Sequence, residues 1–246
     1  MAFLEDSFLS HLVELRNRLI RAVAAIIVVF LCLMPWASEI YDLLASPMLK
    51  TLPEGTKMIA TGVITPFFVP IKITLMAAFV IALPIVLYQT WAFIAPGLYA
   101  HERRFALPMV VGGTLLFIAG MAFCYFFVFQ TVFSFIANFA PKSIQVAPDI
   151  EQYLSFVMTM FLAFGVTFEV PIVVLLLVKT GMVTVPQLRE ARRYVIVGAF
   201  VVAAVVTPPD VTSQIMLAVP MCVLYEVGVF LAAIMIRKSS GGTTSA

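Results

Sequence analysis

Apolar residues along this chain gather into long runs separated by short polar segments. At about 20 apolar residues per bilayer crossing, the runs define six segments, near 19–36, 73–94, 105–130, 153–178, 194–206 and 214–236. The pattern predicts an all-α integral membrane protein, a single membrane domain over 1–246 with six transmembrane helices. Two runs have the wrong length for a simple crossing. From Phe105 to Phe139 no charge occurs, which as helix is about 52 Å against a hydrocarbon core of roughly 30 Å, so this helix must tilt or project beyond the outer surface. The fifth run, "YVIVGAFVVAAVV", reaches only about 20 Å as helix. It ends at Thr207, Pro208, Pro209 and Asp210, where the prolines stop the helix. A hairpin tip that falls about 10 Å short of the outer headgroups implies a concave, wet or thinned outer region, unless the charged turn snorkels or the bilayer thins.

Before the first span, "SFLSHLVELRNRLIR" (7–21) places Phe8, Leu12, Leu15 and Leu19 on one stripe, with Ser7, His11, Glu14, Arg18 and Arg21 on another. Residues 7–18 therefore read as an amphipathic helix leading into the membrane. The segment 37–72 sets Pro47, Pro53, Pro66 and Pro70 around apolar stretches, which suits short interfacial helices capping the outer side. Residues 140–152 form a second, shorter outer loop. Residues 237–246, ending in the charge-free "SSGGTTSA", read as a flexible tail.

Composition agrees with the pattern. Hydrophobic residues make up 63% and charged residues 11%, whereas a soluble domain is about half apolar and a quarter charged. The first apolar run begins only near Leu19, behind a charged prologue with no small-residue cleavage site, so the first span is expected to be retained. Charge then sets the orientation. Arg16, Arg18, Arg21, Arg103, Arg104, Lys179, Arg189, Arg192, Arg193, Arg237 and Lys238 fall on one side, and only Lys50, Lys57, Lys72 and Lys142 on the other. The positive-inside rule makes both termini cytoplasmic.

Several chemistries find no support. Cys32, Cys124 and Cys222 lie in apolar runs without CxxC spacing, and two histidines without HExxH leave little for a metal site. No P-loop, GxSxG elbow or dinucleotide fingerprint occurs, and no nucleophile and base stand at usable spacing. The chain is thus expected not to be an enzyme, to need no cofactor or metal, and to meet lipid rather than nucleic acid. Carboxylates are the informative groups. Glu14 and Arg18, at i and i+4, could form a solvated pair. Alternatively Glu14 and Glu102 together make an acidic site at the inner surface, suited to a ligand bearing guanidinium groups. Arg16 lies on the apolar side of the wheel, between Leu9 and Leu12, and must find a partner or snorkel. Glu169 sits within about 5 Å of the fourth run's midpoint on the 1.5 Å rise, two residues before Pro171, and Glu226 lies in the sixth run. An intramembrane carboxylate is a functional site by default. It could also be protonated and bonded to a carbonyl freed where Pro171 cannot donate to Thr167. A proton-coupled small-molecule transporter using Glu169 is the alternative, though only Glu226 could continue such a relay.

Four stretches, "SHLVELRNRL" (10–19), "FIAPGLYAHERR" (93–104), "FGVTFEVP" (164–171) and "TPPDVTSQ" (207–214), resemble in order and spacing the TatC family, the six-span receptor subunits of the twin-arginine protein translocase. The resemblance runs from residue 8 to about 236. It implies a glove-like bundle with a concave face and short fifth and sixth spans. It implies a multi-pass protein of the bacterial inner membrane that binds precursors with paired arginines in their signal peptides, and moves them folded across the membrane on the protonmotive force. Glu14 and Glu102 match the family's signal-reading carboxylates, Arg16 and Phe93 match positions on which its function depends and are expected with them at the signal-peptide site, and Pro47, in the outer loop, matches another such position. TatA and TatB, single-span partners, are implied to pack on the fifth and sixth spans near Thr207, Gln214 and Asp210, in a complex holding several copies of the chain. Glu169 is then a polar contact for a partner helix or an inserted signal.

Overall fold

A computed structural model describes residues 2–49, 58–94, 103–139, 148–207 and 211–241. Apart from short connecting turns these residues are helical, and among them no strand forms. The helices are α1 (Ala2–Leu33), α2 (Ala37–Leu49), α3 (Thr65–Ile94), α4 (Arg103–Phe123), α5 (Phe129–Phe139), α6 (Ile150–Phe168), α7 (Val170–Lys179), α8 (Val185–Val206) and α9 (Val211–Gly241). Five stretches are long and apolar enough to cross a membrane: His11–Ser46, Thr65–Ile94, Leu107–Phe135, Ile150–Lys179 and Val211–Ile236. α8 does not qualify, because Arg189, Arg192 and Arg193 occupy its first half and leave only the 13-residue apolar run that the sequence contains.

The chain divides into two compact units, one of Met1–Ala45 with Ala60–Thr114, the other of Ser46–Ile59 with Leu115–Ala246. In the first unit α1 packs along α3. The amphipathic segment and the first span are one uninterrupted helix, which a 3-10 turn at Met34–Trp36 joins to α2. Only 6% of this span's most apolar stretch is buried, against 56% for the fourth. α3 starts eight residues before the expected 73: Pro66 falls in its first turn, where a missing N–H costs nothing. Pro70 and Pro84 lie inside the helix. The buried Thr74 hydroxyl donates to the Pro70 carbonyl at 2.7 Å, so this polar group is satisfied within its own helix.

The charge-free run from 105 to 139, which enters the second unit at Leu115, is helical throughout, with a widened π turn at Cys124–Val128 between α4 and α5. Gly120 and Gly165 set the crossing of α4 and α6: a Cβ on Gly120 would lie 2.5 Å from the Phe164 carbonyl, and one on Gly165 would strike the Phe117 ring. Such small residues let membrane helices approach closely. A cluster of Phe123, Phe129, Phe133, Phe161 and Phe164 fills the space beside that crossing. Asp149 caps α6 by accepting from the backbone N–H groups of Glu151 and Gln152 at 2.9 and 3.0 Å. The adjoining Pro148 carbonyl accepts from Ile59 N–H at 3.0 Å, which ties the segment before α3 to the start of α6.

α9 packs on α7 and α8 through Val174, Val178, Leu188, Tyr225 and Val229. The expected shortness of the sixth span is not found: α9 is 31 residues long, and its stretch 211–236 has the length and composition of a crossing. The sequence puts its start near Gln214, but the prolines only end α8, and Val211 already opens the next helix. α9 also runs through Gly241, into the segment expected as a tail, and residues 242–246 lie outside the described residues.

Candidate functional site

At the start of the first unit, His11, Glu14 and Arg18 recur at i, i+3 and i+7 and so share one face of α1. Arg18 donates to Glu14 Oε1 from Nε at 3.0 Å and from Nη2 at 2.5 Å. Two donors on one oxygen fix the carboxylate and leave Oε2 facing His11, whose Nδ1 is 4.0 Å away, beyond hydrogen-bond distance. The Glu14 side chain is 38% exposed, so a ligand can reach it. The His11 ring stacks on Phe93, one residue from the end of α3, with centroids 4.4 Å apart and planes 18° from parallel. Glu14 and Phe93, separate in the sequence, are thereby brought to one place. Arg16 is not, because two residues along a helix turn it about 200° from Glu14. It is exposed, and among the described residues it reaches its neighbour Asn17 at 3.4 Å. Glu102 lies outside the described residues, and so does the Pro47 side chain, although Pro47 stands in α2.

The hairpin of α8 and α9 holds two of the other candidates. Thr207, buried at the end of α8, donates its hydroxyl to the Ala203 carbonyl at 2.8 Å. Gln214, in the first turn of α9, reaches back to the Phe200 carbonyl of α8 with Nε2 at 3.3 Å. Asp210 lies outside the described residues.

Glu169 is the turn between α6 and α7. Its carbonyl accepts from Ile172 and Val173 at 2.9 and 3.0 Å, while its own N–H donates to Val166 at 3.1 Å. The fourth span is thus broken where Pro171 enters the first turn of α7. The Glu169 side chain is 6% exposed, and among the described residues neither carboxylate oxygen has a hydrogen-bond partner. The expected bond to a freed carbonyl does not form. Around this break, α6, α7, α8 and α9 enclose a groove of about 410 Å³ lined by Thr159, Val166, Thr167, Val170, Val202 and Leu217. Residues on both sides of Glu169 face it, while the carboxylate does not.

Glu226 has a different setting. Arg192 of α8 donates to its Oε2 at 2.7 Å, with both side chains about half exposed. Beside it the buried Tyr225 hydroxyl donates to the Leu188 carbonyl at 2.7 Å. The sequence offers both charged residues without pairing them. Arg192 stands 15 residues before Thr207 and Glu226 stands 15 residues after Val211, and this equal distance from the hairpin turn is the signal that could have done so.

The family described as TatC, Sec-independent protein translocase protein, matches residues 10–220. The chain is similar to the Sec-independent protein translocase protein TatC of Escherichia coli (strain K12), 53% identical over 230 residues that cover 94% of this chain and 89% of that protein. It is 54% identical to the protein of the same description from Azotobacter chroococcum mcd 1, over 91% of this chain and 88% of the relative. Among solved structures it resembles one described as "Crystal Structure of Twin Arginine Translocase Receptor- TatC", with a TM-score of 0.79 and 39% identity over 91% of this chain and 98% of that one. With its helical spans, its broken fourth span and this likeness along nearly its whole length, the chain belongs to the TatC family of Sec-independent protein translocase proteins.

Proposed function

We propose that this protein is the receptor core of a twin-arginine translocation system. It binds the paired arginines of signal peptides at its cytoplasmic face and moves folded precursors across the plasma membrane on the protonmotive force. The observation that carries the binding step is the Glu14 carboxylate: one oxygen is held by Arg18 and the other, Oε2, is turned toward an aromatic stack. A carboxylate so fixed accepts a guanidinium with little further ordering. Glu102 supplies the second carboxylate. Arg16, on the opposite face of α1, acts by contact with lipid headgroups or a partner rather than with Glu14.

Both termini are cytoplasmic, and α8 makes the fifth of six crossings. Its 22 residues reach about 33 Å, with the arginines of its first half extended toward the inner headgroups. TatA- and TatB-type single-span subunits pack on the α8–α9 hairpin beside Thr207, Gln214 and Asp210. The scant burial of the first span leaves room for lipid, a partner or a second copy, and Pro47 supports the outer end of that span. Glu169, buried without a partner, is the contact made by an inserted signal or partner helix during transport. The solute-transporter alternative has no support: the relatives are protein translocase proteins, and Arg192 already engages the one carboxylate that could extend a relay from Glu169.

Export of a folded reporter fused to a twin-arginine signal, compared between wild type and Glu14→Ala, Glu102→Ala and the double variant, tests the reading. Signal binding is expected to fall at least about tenfold in each, the scale of one lost charge-assisted hydrogen bond. Undiminished binding in all three would sink the acidic site.

A further inference from the structure

The surroundings of Glu14 bear on which cation it selects. A guanidinium and an ammonium both satisfy a carboxylate, but the guanidinium, flat and more weakly hydrated, stacks on an aromatic face better than the compact, strongly hydrated ammonium. Such a face stands beside Glu14. Phe93 covers one side of the His11 imidazole at 4.4 Å, and His11 is still 52% exposed, so its other side is open. The ring edge is 4.0 Å from Glu14 Oε2, while Oε1 is filled by Arg18. A planar group laid on the open side of the imidazole, roughly 3.5 to 4 Å above it, brings its edge within reach of the one carboxylate oxygen that still has capacity. The Phe93–His11 pair would then become a three-layer stack.

We propose that His11 is a specificity-determining residue for the signal peptide: with Phe93 behind it, its ring is the platform on which one signal guanidinium stacks while Glu14 Oε2 accepts its hydrogen bond, and this platform is what favours arginine over lysine. The inference rests on the reading of Glu14 as a signal-binding carboxylate. Arg18 acts through Glu14 as a positioning residue. It spends its donors on Oε1 and keeps Oε2 turned to the platform.

The test is binding of two labelled synthetic signal peptides, one with Arg-Arg and one with Lys-Lys in its place, to the full-length purified protein in lipid nanodiscs. Wild type is expected to prefer Arg-Arg. His11→Ala should weaken Arg-Arg binding about threefold to tenfold, the scale of a partly desolvated cation–π contact, and leave Lys-Lys binding unchanged. His11→Leu, which keeps bulk without a π face, should behave like His11→Ala, and His11→Phe should restore the preference. Equal loss for both peptides, no loss for either, or a His11→Leu that discriminates like wild type would each overturn the platform. Glu14→Gln separates this inference from the reading beneath it. Arg-Arg binding that survives Glu14→Gln overturns the acidic site itself. Binding lost in Glu14→Gln, with a His11→Ala that treats both peptides alike, overturns the platform only.

Discussion

Two carboxylates in apolar helices, Glu169 and Glu226, look alike in the sequence and meet opposite conditions in the fold. Glu226 is reached by Arg192 from 34 residues away, and a half-exposed pair of this kind contributes at most about 1 kcal/mol. Glu169 is buried, and nothing in the described chain donates to its carboxylate. The sequence made the depth of Glu169 legible, together with the break beside it, since Pro171 has no N–H to offer Thr167. It did not make the lack of a partner legible, because that depends on which side chains of α7, α8 and α9 turn toward the break. A carboxylate without a partner contributes nothing to stability that Gln would forfeit, and Gln removes the cost of placing a charge at depth, at least roughly 2.5 kcal/mol on insertion scales. Glu169→Gln is therefore expected to leave the thermal unfolding midpoint unchanged or raise it, while lowering export of a folded reporter about tenfold through the lost charge-assisted contact. A lowered midpoint would make Glu169 a structural residue instead.

Helix length and helix approach belong to the scale of elements. The charge-free run ending at Phe139 foretold a helix too long for the bilayer, and α4 and α5 form one. The π turn at Cys124–Val128 had no such herald, since neither Pro nor Gly stands in "CYFFV". Within it Tyr125 stacks toward Phe161 and shares a 2.9 Å hydrogen bond with Ser46, contacts that the sequence does not pair. The crossing of α4 and α6 was equally hidden, because glycines in apolar runs look alike until a neighbour is placed against them. Gly120 meets backbone, the Phe164 carbonyl, which cannot turn aside, whereas a methyl on Gly198 in α8 would meet nothing within 4 Å. Gly120→Ala must push α4 off α6 and is expected to cost about 1–3 kcal/mol. Gly198→Ala should be neutral or stabilising by up to about 1 kcal/mol, since Ala favours helix. Thermal unfolding of both in one detergent checks the contrast, and equal effects would mean that the crossing is not set by Gly120.

For the whole molecule, the question is how many times the chain crosses the bilayer. Five stretches satisfy length and composition without help. The sequence flagged the remaining one, α8, by its 13 apolar residues behind three arginines, and the helix that forms reaches back to Val185 because Gln187 accepts from the Thr184 N–H at 2.9 Å and Pro186 pre-sets the first turn. Helix length therefore suffices where apolar length does not, and crossing requires the arginine stems to lie along the membrane while their heads reach the inner headgroups. Positive charge argues the same way, since Lys179 at the end of α7 and Arg189, Arg192 and Arg193 in the first half of α8 gather cations at one end of this crossing. Single cysteines in a background lacking Cys32, Cys124 and Cys222 decide the matter. Met182, before α8, is 67% exposed, Val211, after it, is 71% exposed, and Val63, in the segment before α3, is 98% exposed. A membrane-impermeant thiol reagent applied to intact cells is expected to label Val63→Cys and Val211→Cys, and to label Met182→Cys only after permeabilisation. If Met182→Cys and Val211→Cys label from the same side, α8 does not cross, and the termini then lie on opposite faces of the membrane. That outcome would separate the hairpin proposed to receive partner helices from the outer side, and with it the placing of Thr207 and Gln214 at a membrane-embedded contact.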